Sequence, residues 1–231
     1  MPCSKDDAMK QVKLSYFTDA LCVWAYISQV RIDELKANFK GAVEVDYRYF
    51  HVFGNVANKM DAAWKERGGL VAYRRHVSEV IEQFNHVTLH EQTWKVDVPT
   101  SSMPAHLFLC ATRYTELRKR CESGSSYRAT KALREAFFRD GSDISRREVL
   151  FDIADAIELP VVEIENALAT GAAHAALAED LELARVQSVV ASPTLLFNEG
   201  RQRLTGNVGY RIMEANIREL LQSRPGQLSW C

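Results

Sequence analysis

The chain has 231 residues, of which 47% are hydrophobic and 26% are charged, and its formal net charge is −1 at pH 7. This composition is typical of a soluble globular protein, and the near-zero charge argues against a general attraction to nucleic acid or anionic lipid. No apolar run approaches the ~18 residues that a transmembrane helix needs. Residues 1–7 lack the apolar stretch of a secretory signal, so we expect a cytoplasmic protein.

The first part of the chain predicts a strand, a turn, a helix and a second strand. Val12–Thr18 is rich in β-branched and aromatic residues, as strands are. Residues 19–22 then form a turn. From Trp24 the apolar residues follow the helical period, and Gly41 is a natural stop. Residues 42–50 alternate as a second strand would, and the helix is long enough for a parallel crossover between the two strands.

The rest of the chain predicts a long helical region and a second sheet-forming unit. Residues 57–190 have an almost continuous helical pattern, broken by polar or Pro/Gly-containing joints. Residues 194–197 predict a strand, 201–205 its hairpin partner, and a last amphipathic helix reaches Leu221. The predicted fold is therefore α/β, a thioredoxin fold (β-α-β, then β-β-α) with a large all-helical insertion. We expect a thioredoxin-like domain at 10–56 and 188–223 and a helical insertion domain at 57–187.

Five cysteines are present, and their number and spacing limit what they do. An odd number at irregular spacing forms no disulfide framework, and no pair has the spacing of zinc ligands. We therefore expect reduced thiols and no metal site. Cys110 lies on an amphipathic helix and is expected to be packed. Cys121 at a helix end and Cys231 at the chain end rank low as partner thiols. The five residues are Cys3, Cys22, Cys110, Cys121 and Cys231.

Cys22 stands directly after the first strand and at the beginning of the first helix. The unpaired amides and the dipole of a helix N-terminus favour an anion. The dipole alone would lower the pKa of the thiol by roughly one unit, with Asp19 acting against it. By position alone, a small buried apolar cysteine is an equally good interpretation.

Pro193 immediately precedes the short strand 194–197, where a proline is expected because it cannot donate to a sheet ladder. A cis bond after Ser192 would leave the Ser192 carbonyl and the Thr194 amide free to meet an extended peptide. The alternative is a trans proline that merely starts the strand, and the frequencies of X–Pro bonds favour it.

Several segments resemble one known family, among them residues 147–150 and 167–171, which are similar to its later helices. Tyr16–Tyr26 is similar to the strand and active-site turn of DsbA-like thiol oxidoreductases, whose pattern is Asp-x-x-Cys-Pro-Trp-Cys-Tyr. Ser102–His106 resembles the start of an insertion helix in the branch of FrnE and 2-hydroxychromene-2-carboxylate isomerase. Residues 189–194 are similar to the segment before the family's cis-proline. The resemblance extends from about residue 12 to 221, and it implies a functional Cys22 and a cis Pro193.

The sequence departs from the family pattern at the position of the second cysteine. Ala25 stands there, and Val23 replaces the proline, so Cys22 cannot form a disulfide within the motif. A single thiolate can still form a mixed disulfide with glutathione or a protein, which an external thiol resolves. In the family, the kappa glutathione transferases and the chromene isomerases carry serine at the first position and hold glutathione in the same pocket.

The sequence therefore predicts an oxidoreductase-like protein that acts through Cys22, with no tightly bound cofactor and with glutathione as cosubstrate. Two alternatives stay open: a glutathione-dependent isomerase or transferase of a small apolar electrophile, and a non-catalytic peptide-binding module. His51 would be a base or a glutathione contact, or simply a satisfied surface histidine, and His106 is interpreted in the latter way. The expected partner is glutathione or a substrate bearing a thiol or disulfide, and a homodimer is left open. The expected ligand contacts are Trp24, His51, Ser192, Pro193 and Thr194.

Overall fold

Four β-strands lie within residues 11–222, which are the residues that the computed structural model describes. They are β1 (Val12–Thr18), β2 (Val43–Tyr49), β3 (Thr194–Phe197) and β4 (Gln202–Thr205). They form one sheet in the order β2-β1-β3-β4, in which β1 and β2 are parallel and β3 is antiparallel to both of its neighbours. The predicted α/β class, the thioredoxin fold and the parallel crossover between the first two strands are confirmed.

One helix connects the two parallel strands, a last helix follows the hairpin, and the others lie between β2 and β3. Short 3₁₀ turns occupy Lys65–Arg67 and Asn198–Gly200. The insertion that the sequence predicts is therefore helical and interrupts the thioredoxin fold between its two halves. The helices are α1 (Val23–Asn38), α2 (Val56–Trp64), α3 (Gly69–Ile81), α4 (Met103–Leu117), α5 (Ser125–Phe138), α6 (Arg147–Ala156), α7 (Val161–Ala169), α8 (Ala172–Val186) and α9 (Tyr210–Gln222).

The segment between α3 and α4 differs from the prediction. Residues 82–102 contain no helix or strand, although the sequence pattern predicts helix up to a joint near residue 98. Trp94 and Asp97 have φ values of 60° and 48°, which a right-handed helix does not allow. Trp94 is 1% exposed and packs edge-on against Phe137 of α5 at 5.1 Å between ring centroids. Burial of this indole, which local periodicity does not encode, explains the irregular path.

The sheet and the insertion share a hydrophobic core. One cluster of buried side chains contains Leu14 of β1 and Ile27 of α1 together with Phe108 of α4 and Leu133 of α5. The insertion therefore packs on the sheet and on α1 rather than standing apart, and the division into two domains stays a prediction. Within residues 11–222, no helix is both long enough and apolar enough to cross a membrane.

Candidate active site around Cys22

Cys22 is the N-cap residue of α1, and its side chain points into the protein. Its backbone is extended, with φ −85° and ψ 115°, and its carbonyl accepts the first helical hydrogen bonds from the amides of Ala25 and Tyr26. The residue is 5% exposed. Its thiol donates to the carbonyl oxygen of Ser192 over 3.2 Å, across 170 residues of sequence. The strand-to-helix junction therefore delivers the sulfur directly to the loop before β3.

The Ser192–Pro193 peptide bond is cis, and the register of the sheet explains why it meets Cys22. Thr194 lies opposite Phe17, so the beginning of β3 is level with the end of β1. Thr194 is also aligned with Thr205 on its other side and is 1% exposed. Its main chain is thus enclosed in the sheet, and contact between Thr194 and a substrate stays a prediction.

A buried carboxylate, Asp19, organises the turn that carries Cys22. Its Oδ1 accepts from the amide of Leu21 at 2.9 Å, and its Oδ2 accepts from the amide of Phe53 at 2.8 Å and from the hydroxyl of Ser102 at 2.9 Å. Its own amide donates to Oγ of Ser192 at 3.0 Å. Asp19 therefore joins the turn to the loop after β2, to the start of α4 and to the loop that contains the cis bond.

His106 completes this network from the first turns of α4. It is 0% exposed, and its Nε2 lies 3.1 Å from the amide nitrogen of Ala20 and 3.6 Å from Oδ1 of Asp19. Burial alone would raise the pKa of Asp19, but its electrostatic interaction with His106 and the hydrogen bonds that it accepts hold that pKa below its usual value. The interpretation of His106 as a satisfied surface histidine is wrong, because the side chain is completely buried and its Nδ1 has no hydrogen-bond partner among the described residues. The available signal was the resemblance of Ser102–His106 to a family helix.

The expectation of an acidic Cys22 thiol is wrong in direction. Burial raises the pKa of Cys22 above the ordinary thiol value, and Asp19 contributes in the same sense. The Ser192 contact and the amides of Ala25 and Trp24 act the other way and do not offset it. The dipole argument failed because it treated a helix terminus in water, whereas this sulfur is desolvated. At neutral pH Cys22 is therefore a thiol, in agreement with its bond to Ser192.

The other predicted residues are distributed unevenly around this centre. Trp24 is half-buried against the main core, and His51 is exposed on the turn after β2, with no hydrogen bond to Cys22. Cys110 is fully buried beside Asp180, and burial raises its pKa to about 12. Cys121 is half-buried after α4, and burial raises its pKa also. Cys3 and Cys231 lie outside the described residues.

Metal binding has no obvious basis in the part of the chain that the structure describes. Between residues 11 and 222, no three His, Cys, Asp or Glu side chains come together in a way that could hold a metal ion. The Asp19 carboxylate and the amides of its turn are instead hydrogen-bonded within the protein, whereas Nδ1 of His106 has no partner among the described residues.

A family comparison agrees with this geometry. The model of the DSBA-like thioredoxin domain matches residues 13–218, which is most of the chain. The chain belongs to this family. The resemblance seen in the sequence is therefore confirmed, and this DsbA-like protein carries a single cysteine in the motif region.

Individual relatives are distant. The ClpXP adapter protein SpxH of Bacillus licheniformis is 33% identical over 100 residues, which are 41% of this chain and 33% of that protein. The match thus spans only about a third of the curated relative. A probable DsbA oxidoreductase from Streptomyces coelicolor has a TM-score of 0.72 at 17% identity, with 94% of each chain covered. The cytosolic disulfide reductase DsbM from Pseudomonas aeruginosa with GSH has a TM-score of 0.62 at 14% identity, covering 89% of this chain and 99% of that chain. These structural likenesses show the shared fold.

Proposed function

We propose that this protein is a cytoplasmic monothiol oxidoreductase whose Cys22 thiol undergoes thiol–disulfide exchange with mixed disulfides of glutathione. One observation carries the proposal: the Cys22 sulfur lies 3.2 Å from the Ser192 carbonyl beside the cis bond, while Ala25 occupies the place of a second thiol. The site thus has a nucleophile beside the loop that contains the cis bond, and the motif has no second cysteine for an internal disulfide. The DsbM structure with GSH supports glutathione as the partner chemistry.

The exchange balances without any other redox agent. Cys22 attacks the glutathione sulfur of a mixed disulfide R–S–S–G, so that a bond forms between the two sulfurs and the bond to R–S breaks. The proton lost by Cys22 goes to the leaving R–S⁻. A second glutathione then attacks the adduct, which releases oxidised glutathione and restores the Cys22 thiol. The net reaction converts R–S–S–G and GSH into R–SH and GSSG.

The Ser192 carbonyl has a part in this scheme. While Cys22 is a thiol, its S–H occupies that carbonyl. Once the sulfur is bonded to glutathione, it has no proton to donate, and the carbonyl can accept from an amide of the bound tripeptide. Because burial raises the pKa of Cys22, little thiolate is present at pH 7, and the exchange rate rises with pH through and beyond ~8.5.

The direct test is intact mass after incubation with oxidised glutathione, followed by mapping of the modified peptide. We expect one glutathionyl group on the wild type, released by reduced glutathione, and none at this site in Cys22→Ser. Cys121→Ser is the matched control, because it removes a half-buried thiol elsewhere, and it should behave as the wild type. An adduct that survives Cys22→Ser and maps to another cysteine would contradict the proposal.

A second function is favoured by the protonated state of Cys22. With its pKa raised by burial, the thiol can donate its S–H to the sulfur of bound glutathione, as the serine hydroxyl of the isomerase and transferase branches would. Calorimetric titration of Cys22→Ser with reduced glutathione distinguishes the two functions. The isomerase or transferase is favoured if Cys22→Ser binds reduced glutathione saturably and the wild type forms no adduct with oxidised glutathione. Peptide binding that is indifferent to Cys22→Ala favours the non-catalytic module.

Restoring the second thiol tests the monothiol part of the proposal. Ala25 is 0% exposed in the first turn of α1, so Ala25→Cys adds one sulfur to a packed site at a cost of about 1–3 kcal/mol in stability. We expect the variant to catalyse oxidation of a reduced, unfolded protein by oxidised glutathione, which the wild type does not. Ala154→Cys, equally buried on α6, is the control and should gain nothing. Efficient oxidation by the wild type would mean that another cysteine already serves Cys22.

A further inference from the structure

His106 has two neighbours that demand opposite protonation states of one nitrogen. An amide N–H can only donate, so the 3.1 Å contact with Ala20 requires a lone pair on Nε2. The carboxylate oxygen of Asp19, 3.6 Å away, can only accept and would be satisfied by a proton there. In the arrangement observed, the amide bond places the imidazole proton on Nδ1. That nitrogen is buried and has no hydrogen-bond partner among the described residues.

The Ala20 amide belongs to the turn that presents Cys22. Each amide of this turn has one acceptor: Asp19 donates to Ser192, Leu21 to the Asp19 carboxylate and Cys22 to the Asp19 carbonyl at 3.2 Å. These three acceptors, the Ser192 hydroxyl and the carboxylate and carbonyl of Asp19, do not take up a proton near neutral pH. The acceptor for Ala20 is an imidazole, which can.

We propose that His106 is a positioning residue for Cys22. When Nε2 is unprotonated, it accepts the hydrogen bond of the Ala20 amide and thereby holds the turn. When Nε2 carries a proton, it donates that proton to Asp19 in a hydrogen bond, and the Ala20 amide loses its acceptor. The inference rests on the proposed function only in taking Cys22 as the reacting group. The accessibility and reactivity of the Cys22 thiol then depend on the protonation of His106, which lies 84 residues further along the sequence, in the helical insertion.

Few ionisable groups face the imidazole. Asp19 of the turn is the charged group that faces Nε2, and the ring of Tyr49 on β2 stacks on the imidazole at 5.8 Å. Cys22 at the start of α1 and Tyr73 of α3 interact electrostatically with Asp19. Burial raises the pKa of each of these hydroxyl and thiol groups, so all of them are neutral at pH 7.

The test compares His106→Gln with His106→Leu. The glutamine carbonyl can accept from the Ala20 amide but cannot take up a proton, whereas leucine removes the acceptor. For each protein we would measure the alkylation rate of Cys22 against pH, mapped by peptide mass, and the amide NMR shifts of Ala20 and Cys22. In the wild type, both amides and the Cys22 rate should change together with the His106 ring signals as pH falls.

In His106→Gln the rate at high pH should match the wild type within about twofold, and the acid-side change should be absent. In His106→Leu the rate should differ at every pH by at least about fivefold, the lower end of typical couplings between linked sites. If the leucine variant does not fold, the wild-type titration and the glutamine variant carry the test.

Two results would overturn the inference. One is an Ala20 amide that does not respond when His106 gains its proton, or a ring that stays neutral as far as the protein remains folded. The other is a glutamine variant that retains the acid-side change. Alkylation requires no glutathione, so failure to form the glutathione adduct would remove the proposed function and still leave this test decisive.

Discussion

Two carboxylates, Asp19 and Asp180, are completely buried among the described residues, and their surroundings differ. Oδ1 of Asp180 on α8 lies 3.0 Å from guanidinium nitrogens of Arg48 and of Arg113, and its Oδ2 accepts from the amide of Tyr49 at 3.0 Å. Asp19 has no arginine or lysine partner in this part of the chain. Its acceptors are filled by two amides and a hydroxyl, with an imidazole 3.6 Å away.

The difference shows that a buried carboxylate has a structural role at Asp180 and a role in organising the Cys22 site at Asp19. Guanidinium groups stay charged at every accessible pH, so the ion pairs of Asp180 fix α4 and α8 against β2 permanently. Burial alone would lower the pKa of Arg113, but Asp180 raises it overall. Beside Asp19 the imidazole of His106 takes the corresponding place, and it is neutral in the arrangement observed and a cation only when protonated. The electrostatic field beside Cys22 can therefore change with the protonation of His106, whereas the two guanidinium partners of Asp180 keep their charge.

The largest expected effect is the loss of the Asp180 charge. Asp180→Asn leaves two arginines without their shared anion, and removing one partner of a buried ion pair typically costs 3–5 kcal/mol. Because the side chains of Arg48 and Arg113 are 24% and 12% exposed, solvent screening reduces this to about 2–3 kcal/mol. Urea denaturation measures the loss, and the pH profile of Cys22 alkylation in the folded variant should be unchanged.

Glu182→Gln is the control for Asp180→Asn. It removes a carboxylate from the same helix, but that carboxylate forms an exposed ion pair with Arg185. We expect its urea midpoint to equal that of the wild type. If Asp180→Asn were as stable as this control, or if it altered the Cys22 profile, the distinction between a scaffold carboxylate and a site carboxylate would not hold.

The sequence predicted the elements whose signal is local. The bounds of β1 and β3 agree with the prediction because each is a compact β-branched or apolar run that ends at a turn. Residues 82–102 were missed because their path is set by the burial of Trp94 against α5. A pattern read along the chain contains no information about that partner.

The place of Cys22 at the start of α1 and the cis bond at Pro193 agree with the expectations from the sequence, whereas the hydrogen-bond network around them was not predicted. Asp19 bonds to Ser102 across 83 residues, and Ala20 bonds to His106 across 86. Only the fold brings these pairs together, so composition and spacing could not reveal them. The direction of the Cys22 pKa was missed for the same reason, because desolvation depends on the tertiary packing around the sulfur.

The smaller effect is expected at Asp19, and it concerns reactivity more than stability. Asp19→Asn keeps the shape but replaces one acceptor oxygen by an NH₂ group, which leaves an amide or hydroxyl unsatisfied at a cost of about 1–2 kcal/mol. The negative charge of Asp19 helps to raise the pKa of Cys22, so its removal should lower that pKa and accelerate alkylation of Cys22 at pH 7. The dependence of the Cys22 alkylation rate on pH, measured for the wild type and for Asp19→Asn, compares the pKa of Cys22 in the two proteins.

The stability difference between Asp19→Asn and the wild type should also depend on pH in one direction. The pKa of Asp19 is lowered on folding, so its carboxylate stabilises the protein above its unfolded pKa of ~3.9. That contribution is lost as the pH falls through the folded pKa, and the two urea midpoints should converge below about pH 4.

Asp33→Asn is the control for the reactivity of Cys22, since Asp33 is a half-buried carboxylate further along α1 whose partners include Gln29 and Lys131. It should leave the Cys22 profile unchanged, and a Cys22 thiol that reacts no faster in Asp19→Asn than in this control would contradict the assigned electrostatic role.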